Sequence, residues 1–299
     1  TGAAGQLGQE LIPKLSVLGS VVTLDRSAID GQANAVSMDL SNLAQVEVYL
    51  NRTRPDLLVN AAAFTAVDGA ESESVDAFRI NAELPGCLAR WCAGNDRMLL
   101  HYSTDYVFPG NGTRPYLETD PTGPLGVYGE SKLAGEWAIR DAACRHAILR
   151  TSWVYSGHGN NFVLTMLRLA SERPELNIVS DQMGRPTWAR NLATVSAKLL
   201  QRYVAAPGDF PGGLYHYADR DAVNWFEFAT RIFTIADRLG LLHQMPACRP
   251  VNSTQFPQVA ERPLYSVLDT ALIKETFGIE AIGLERSLEQ CLGELKEND

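Results

Sequence analysis

Thr1-Gly2-Ala3-Ala4-Gly5-Gln6-Leu7-Gly8, followed by the apolar run Val21-Val22-Thr23-Leu24-Asp25, decides the fold. Glycines at 2, 5 and 8 let a backbone turn tightly and approach a pyrophosphate. The helix opening behind them presents free N–H groups and the positive end of its dipole. Asp25 ends the next strand 17 residues after Gly8, close to where an acid meets the hydroxyls of an adenosine ribose. Arg26 follows it. A carboxylate favours NAD and a guanidinium accommodates the extra phosphate of NADP, so the pair leaves both open.

Working outward, strands are expected at 21–25, 57–61, 98–103 and 147–150, each a short apolar run. Helices are expected at 6–18, 42–52, 71–93 and 128–142. Buried strands alternating with amphipathic helices predict an α/β fold, a doubly wound (Rossmann-type) parallel sheet. The chain as given opens on the glycine turn, and a short strand is expected before it, because a parallel sheet lacking a central strand leaves backbone groups unpaired. Beyond residue 153, Pro and Gly punctuate the pattern at 173–174, 184–186, 207–208 and 211–213. Helices are expected there at 161–172, 188–204 and 224–239. Residues 1–152 are therefore read as the dinucleotide-binding domain. Residues 153–299 are read mainly as a smaller substrate-binding lobe, with about 188–225 returning to the first domain.

The bulk properties suit this reading. The 299 residues suffice for a large α/β core, and 45% hydrophobic with 20% charged residues is the composition of a globular protein. A net charge of −9 argues against a general nucleic-acid binder, whose footprint is basic. No apolar run reaches the roughly 20 residues that span a bilayer. Cys87, Cys92, Cys144, Cys248 and Cys291 are odd in number and form no CxxC pair, which fits a reducing cytoplasm better than a disulfide framework or a zinc site. The five histidines show no metal-ligand spacing.

Chemistry is expected around Tyr128-Gly-Glu-Ser-Lys132. Residues four apart share a helix face, and an ammonium beside a phenol is expected to stabilise the phenolate and lower its pKa. The phenol then exchanges a proton with a carbonyl oxygen. Upstream, Ser103-Thr104-Asp105-Tyr106-Val107-Phe108 closes an apolar strand, where ligands bind in parallel sheets. A hydroxyl there meets the reacting oxygen. Ser103 and Thr104 both qualify, but neighbouring strand residues face opposite ways, so only one does so.

With these motifs in hand, the sequence resembles the extended short-chain dehydrogenase/reductase superfamily, and within it the dTDP-4-dehydrorhamnose reductase family. The resemblance rests on GAAGQLG at 2–8, VNAAAFTAVDGAE at 59–71, HYSTDYVFPG at 101–110 and VYGESKLAGE at 127–136. It continues through RTSWVYSGHGNNF at 150–162, DQMGRPT at 181–187, GLYH at 213–216 and RPLYSVLD at 262–269. It implies NADPH- or NADH-dependent reduction of the C4 ketone of dTDP-4-dehydro-L-rhamnose to dTDP-L-rhamnose, in the cytoplasm, for surface glycans such as O-antigen. Tyr128 is then the proton donor, Lys132 its helper and Thr104 the hydroxyl that tunes it. Gly2, Gly5, Gln6, Leu7, Gly8, Asp25, Asp39, Leu40, Ala63, Phe64, Thr65, Tyr102, Tyr128 and Lys132 are implied cofactor contacts. Thr104, Asp105 and Trp153 are implied sugar-nucleotide contacts.

Some points stay open at this level. Trp153 also suits an apolar interface between lobes. Arg185 and Arg262 suit either a substrate diphosphate or the solvated surface. Some relatives hold Mg2+ with carboxylates at a homodimer contact, and Glu10 matches one such position. Position 190, a glutamate in those relatives, is Arg190 here, which puts a hard-cation site in doubt. The alternatives are a reductase of another nucleotide-linked 4-keto-6-deoxy sugar, and a non-catalytic NADP-binding regulatory subunit.

Overall fold

The computed structural model describes residues 1–27, 34–256 and 258–298. After the glycine turn, α1 (Gln6–Leu15) leads to β1 (Thr23–Asp25) and β2 (Ala35–Ser37), and α2 (Leu43–Thr53) leads to β3 (Leu57–Asn60). The short helices α3 (Val67–Ser72) and α4 (Ser74–Phe78), a π turn over Arg79–Glu83 and α5 (Leu84–Asn95) precede β4 (Met98–Thr104). Then come α6 (Val127–Asp141), β5 (Arg145–Thr151) and β6 (Val154–Tyr155).

β3, β4 and β5 pair in parallel, with Leu100 opposite both Val59 and Ala147. Every residue of β4 is buried, as the middle of a doubly covered sheet requires. β1 and β2 form a second parallel pair. The glycine turn joins the two sets: the Gly2 amide donates to the Leu24 carbonyl at 3.0 Å, and the Ala61 amide donates to the Thr1 carbonyl at 3.2 Å. Below this bridge an apolar cleft of ≈ 390 Å³ runs between β1 and β3, lined by Leu11, Leu24, Leu50 and Leu58 among others.

The second half continues with α7 (Phe162–Glu172), β7 (Glu175–Val179), β8 (Met183–Gly184), β9 (Thr187–Trp188) and α8 (Ala189–Ala205). β10 (Gly213–His216), β11 (Val223–Asn224), α9 (Trp225–Leu239), β12 (Ala247–Val251), α10 (Ala271–Phe277) and α11 (Leu284–Asn298) complete it. β10 adds to β5 in parallel, extending the main sheet. One face of that sheet is covered by α1 and α8, where Leu11, Leu192, Val195 and Leu199 share a core with Leu100 and Leu149. The other is covered by α2, α5 and α6 through Val46, Leu50, Leu84, Leu88 and Ile139. A separate core joins α7, α9 and α11 through Val163, Phe228, Ile232 and Leu288. α9 starts on a reciprocal Asn224–Glu227 capping box.

The single helix expected over 71–93 is broken. Pro85 has no amide to donate, and its ring crowds the carbonyl four residues back, that of Asn81. The backbone widens into the π turn there. The Asn81 carbonyl points at α6, where Gly135 receives it: a Cβ on Gly135 would lie 2.0 Å from that oxygen. Gly135 thus lets α6 lie directly on the irregular turn.

Gly135→Ala has no flexible neighbour to displace, only the Asn81 backbone and the Pro85 ring. We expect a loss of about 1–3 kcal/mol, the usual cost of overpacking, read as a lower urea midpoint. An unchanged midpoint would show slack between α6 and the π turn.

Candidate active site

The carboxyl ends of β1, β3 and β4 open onto a cavity of ≈ 850 Å³. Every residue expected to touch a cofactor borders it, from the glycine turn through Asp25, Asp39 and the 63–65 segment to Tyr102, Tyr128 and Lys132. The turn is shaped for close approach. Gly2 has φ +68, and a Cβ there would lie 2.4 Å from the Ala62 nitrogen; one on Gly8 would lie 2.1 Å from the Gly2 carbonyl oxygen. Asp25 braces the turn by accepting from the Ala4 amide at 3.0 Å. Asp39 accepts from the amide and hydroxyl of Ser41, which hold its carboxyl below the usual range. Backbone of this curvature at a helix start, with a carboxylate at the neighbouring strand end, fits a dinucleotide.

At the other end of the cavity stands α6. Lys132, buried, donates from Nζ to the Tyr102 carbonyl at 2.6 Å, which ties α6 to β4. Burial brings its pKa down to about 8, against the Glu136 carboxylate, which raises it. Burial also raises the Tyr128 phenol, with the Thr104 hydroxyl beside it opposing and Asp105 and Tyr106 adding. This corrects the expectation that Lys132 makes the phenol more acidic. The ammonium sits on a backbone carbonyl, and desolvation of the phenol dominates.

Ser103 and Thr104 point opposite ways from the end of β4. Ser103 borders the cavity, but its hydroxyl donates to Glu136 at 2.5 Å. Thr104 points the other way, beside Tyr128; its hydroxyl donates to Asp105 at 3.1 Å and accepts from the Tyr106 amide. Asp105 is buried, which pushes its carboxyl up to about 7 against the hydroxyls of Ser266 and Thr104. Beyond Tyr128 a narrow crevice is bounded by Val67, Tyr106, Gly126 and Pro263. His101, under the site, contacts Asn60 at 3.0 Å, and burial keeps it neutral.

Trp153 lies outside the cavity. Its indole stacks on Trp225 at 3.4 Å between centroids and 6° between planes. A Cβ on Gly184 would lie 2.4 Å from its ring, which explains the glycine of DQMGRPT. Trp153 has φ +47, a left-handed conformation held by this packing. The two candidate diphosphate cations already have partners in the protein. Arg185 donates to the Leu268 carbonyl at 2.7 Å, and Arg262 pairs with Asp68 at 2.9 Å and Gln258 at 2.7 Å. Glu10 accepts from Arg190 at 2.8 and 3.3 Å, and Arg190 also pairs with Glu294.

One group escaped the sequence reading, and one expected cofactor contact has a further role. Asn81 accepts from the Phe64 amide at 2.8 Å and donates to the Phe64 carbonyl and the Ser131 hydroxyl, both at 3.0 Å, locking the 63–65 segment to α6. Gln6 borders the cavity, yet its side chain accepts from Ser156 and Asn161 and donates to the Asn160 carbonyl, hooking the glycine turn to the 156–161 loop.

Comparison with known proteins agrees with this geometry. A family model described as RmlD substrate binding domain matches residues 1–297. A dTDP-4-dehydrorhamnose reductase of Shigella flexneri is 42% identical over 98% of this chain and 96% of its own length. The one from Escherichia coli K12 is 41% identical over the same shares. Among solved structures, the dTDP-4-dehydrorhamnose reductase of Bacillus anthracis in complex with NADP superposes with a TM-score of 0.86 at 33% identity, covering 98% of this chain and 97% of that one. The Clostridium acetobutylicum counterpart gives 0.85 at 32% identity, covering 99% and 98%. With the glycine turn, the Tyr128–Lys132 pair and near full-length similarity all in agreement, the chain belongs to the dTDP-4-dehydrorhamnose reductase family.

Proposed function

We propose that the chain reduces the C4 ketone of dTDP-4-dehydro-L-rhamnose to the alcohol of dTDP-L-rhamnose, using NADPH or NADH. One observation carries the reading: a single cavity joins the glycine turn and Asp25 to Tyr128 and Lys132. The NADP bound by the Bacillus anthracis relative supports the cofactor class. A bound nicotinamide supplies the hydride that reaches C4.

The protein's own residues do the rest. A phenol with a raised pKa keeps its proton until a stronger base forms, and an alkoxide at O4 is such a base. Tyr128 gives up its proton to that oxygen. Thr104, turning its hydroxyl away from Asp105, hydrogen-bonds the same oxygen as charge develops. Lys132, cationic below about pH 8, holds ribose hydroxyls of the cofactor. Asp105, next to Thr104 just past the end of β4, contacts the sugar nucleotide. Residues 1–152 carry the cofactor, and 153–299 mainly the sugar nucleotide. The cytoplasm is the proposed compartment: all five cysteines are free thiols, and among the described residues no helix is long and apolar enough to cross a membrane.

Divalent metal has no part in this proposal. A cation at Glu10 must displace the Arg190 guanidinium, which already satisfies both carboxylate oxygens. A chelator added to the assay should leave the rate unchanged; loss of activity restored by Mg2+ refutes this.

Two substitutions test the assigned roles by loss of reduced-nicotinamide absorbance with dTDP-4-dehydro-L-rhamnose. Tyr128→Phe should cut turnover by about 10²–10⁴-fold, the scale of general acid catalysis, and leave cofactor affinity nearly intact. An equal loss of cofactor affinity contradicts the role. Asp25→Ala should shift the NADPH/NADH preference toward NADPH by about tenfold, the scale of one charge-assisted hydrogen bond. An unchanged ratio removes Asp25 from the ribose.

A further inference from the structure

One buried charge cluster takes no part in the mechanism above. Glu136 lies one helical turn beyond Lys132 on α6 and is 1% exposed. Arg150 on β5, 3% exposed, clamps it through Nε at 2.8 Å and Nη2 at 2.7 Å. Ser103 on β4 donates to the same carboxylate at 2.5 Å. Arg150 is itself held in place, with its guanidinium carbon 5.0 Å from the Phe108 ring centroid and Nη1 3.5 Å from His216 Nε2 on β10. Burial and the nearby Arg150 charge keep His216 neutral, with its pKa down to about 3.

Stability does not account for such a pair. Desolvating two charges costs about as much as their attraction returns, and apolar replacements of similar volume are often neutral or stabilising. What the pair does provide is a fixed geometry. A bidentate contact plus a third donor allows one rotation of α6 over the sheet. That rotation sets where Tyr128 and Lys132, on the same helix, enter the cavity.

We propose that Glu136 is a positioning residue for the reaction, clamped by Arg150 and Ser103 so that it holds α6 in register with β4 and β5 and sets its negative charge behind the Lys132 ammonium. This rests on the roles given above to Tyr128 and Lys132. The groups that interact with Lys132 are Glu136 from α6 itself, and from β4 the neutral His101 and Tyr102, whose carbonyl accepts from it. Glu136 is the charged group that favours the ammonium.

The test is the pH profile of turnover. In the wild-type protein the alkaline limb should fall near pH 8, where Lys132 loses its proton. Removing the anion behind a buried cation disfavours the charged form, so Glu136→Gln should move that limb to lower pH by about one unit. Turnover at its optimum should drop by about tenfold or more through misplacement of the reacting groups, with the sugar-nucleotide KM little changed. Glu136→Asp, which keeps the charge, should restore the limb. If Glu136→Gln does not fold, Glu136→Leu with Arg150→Met removes both charges of the clamp together; the same acid-ward shift is expected. A limb that stays in place in the folded variant overturns the proposal, whatever happens to the rate, because a purely structural role scales activity equally at every pH. Tyr128→Phe in the same assay separates the two ideas. Its turnover tests the underlying reading, and the limb bears on Glu136 alone.

Discussion

The site depends on how closely α6 lies against what is beneath it. Gly129 and Gly135 set the distance: a Cβ on Gly129 would lie 2.3 Å from the Tyr106 carbonyl oxygen, and one on Gly135 2.0 Å from that of Asn81. Backbone carbonyls do not yield as side chains do, so these contacts admit glycine alone. With α6 pressed down, Lys132 reaches the Tyr102 carbonyl, Ser131 reaches Asn81, and Tyr128 comes beside Thr104. Each of these contacts needs the helix at this height over the sheet.

Much of this was legible in the sequence because it is local. The glycine spacing, the acid at the end of β1 and the four-residue step from Tyr128 to Lys132 each carry geometry within one turn or one strand. What escaped depends on partners distant in sequence. That Ser103 donates to Glu136, 33 residues on, shows only once the fold brings β4 and α6 together. Asn81 reads as an ordinary helix residue until its partners Phe64 and Ser131 are brought to it. Arg185 and Arg262 read as free cations, but their partners Leu268 and Asp68 lie 83 and 194 residues away. The π turn follows from Pro85, a single residue that a helical period alone does not flag.

The second half was less legible for a different reason. Its strands β6, β8, β9 and β11 are two residues long, too short to show a period. They exist because longer elements hold them. The Met183 amide donates to the Leu264 carbonyl, the Ser266 amide to that of Met183, and the Tyr116 amide to that of Val267. The 264–269 segment therefore laces the loop after β4 to β8. The DQMGRPT block belongs to this framework: Asp181 accepts from Ser253, Gln182 accepts from the Trp225 indole, and Gly184 makes room for Trp153.

Gln6 ties the two halves together at one point. Its side chain grips the 156–161 loop, while its backbone begins the helix that faces the cofactor cavity. Work done on the turn is therefore felt in the loop, and ordering the loop steadies the turn. Linked equilibria of this kind are reciprocal. Whatever one ligand gains from the presence of the second, the second gains equally from the first, and the sequence of their arrival alters the route but not the sum.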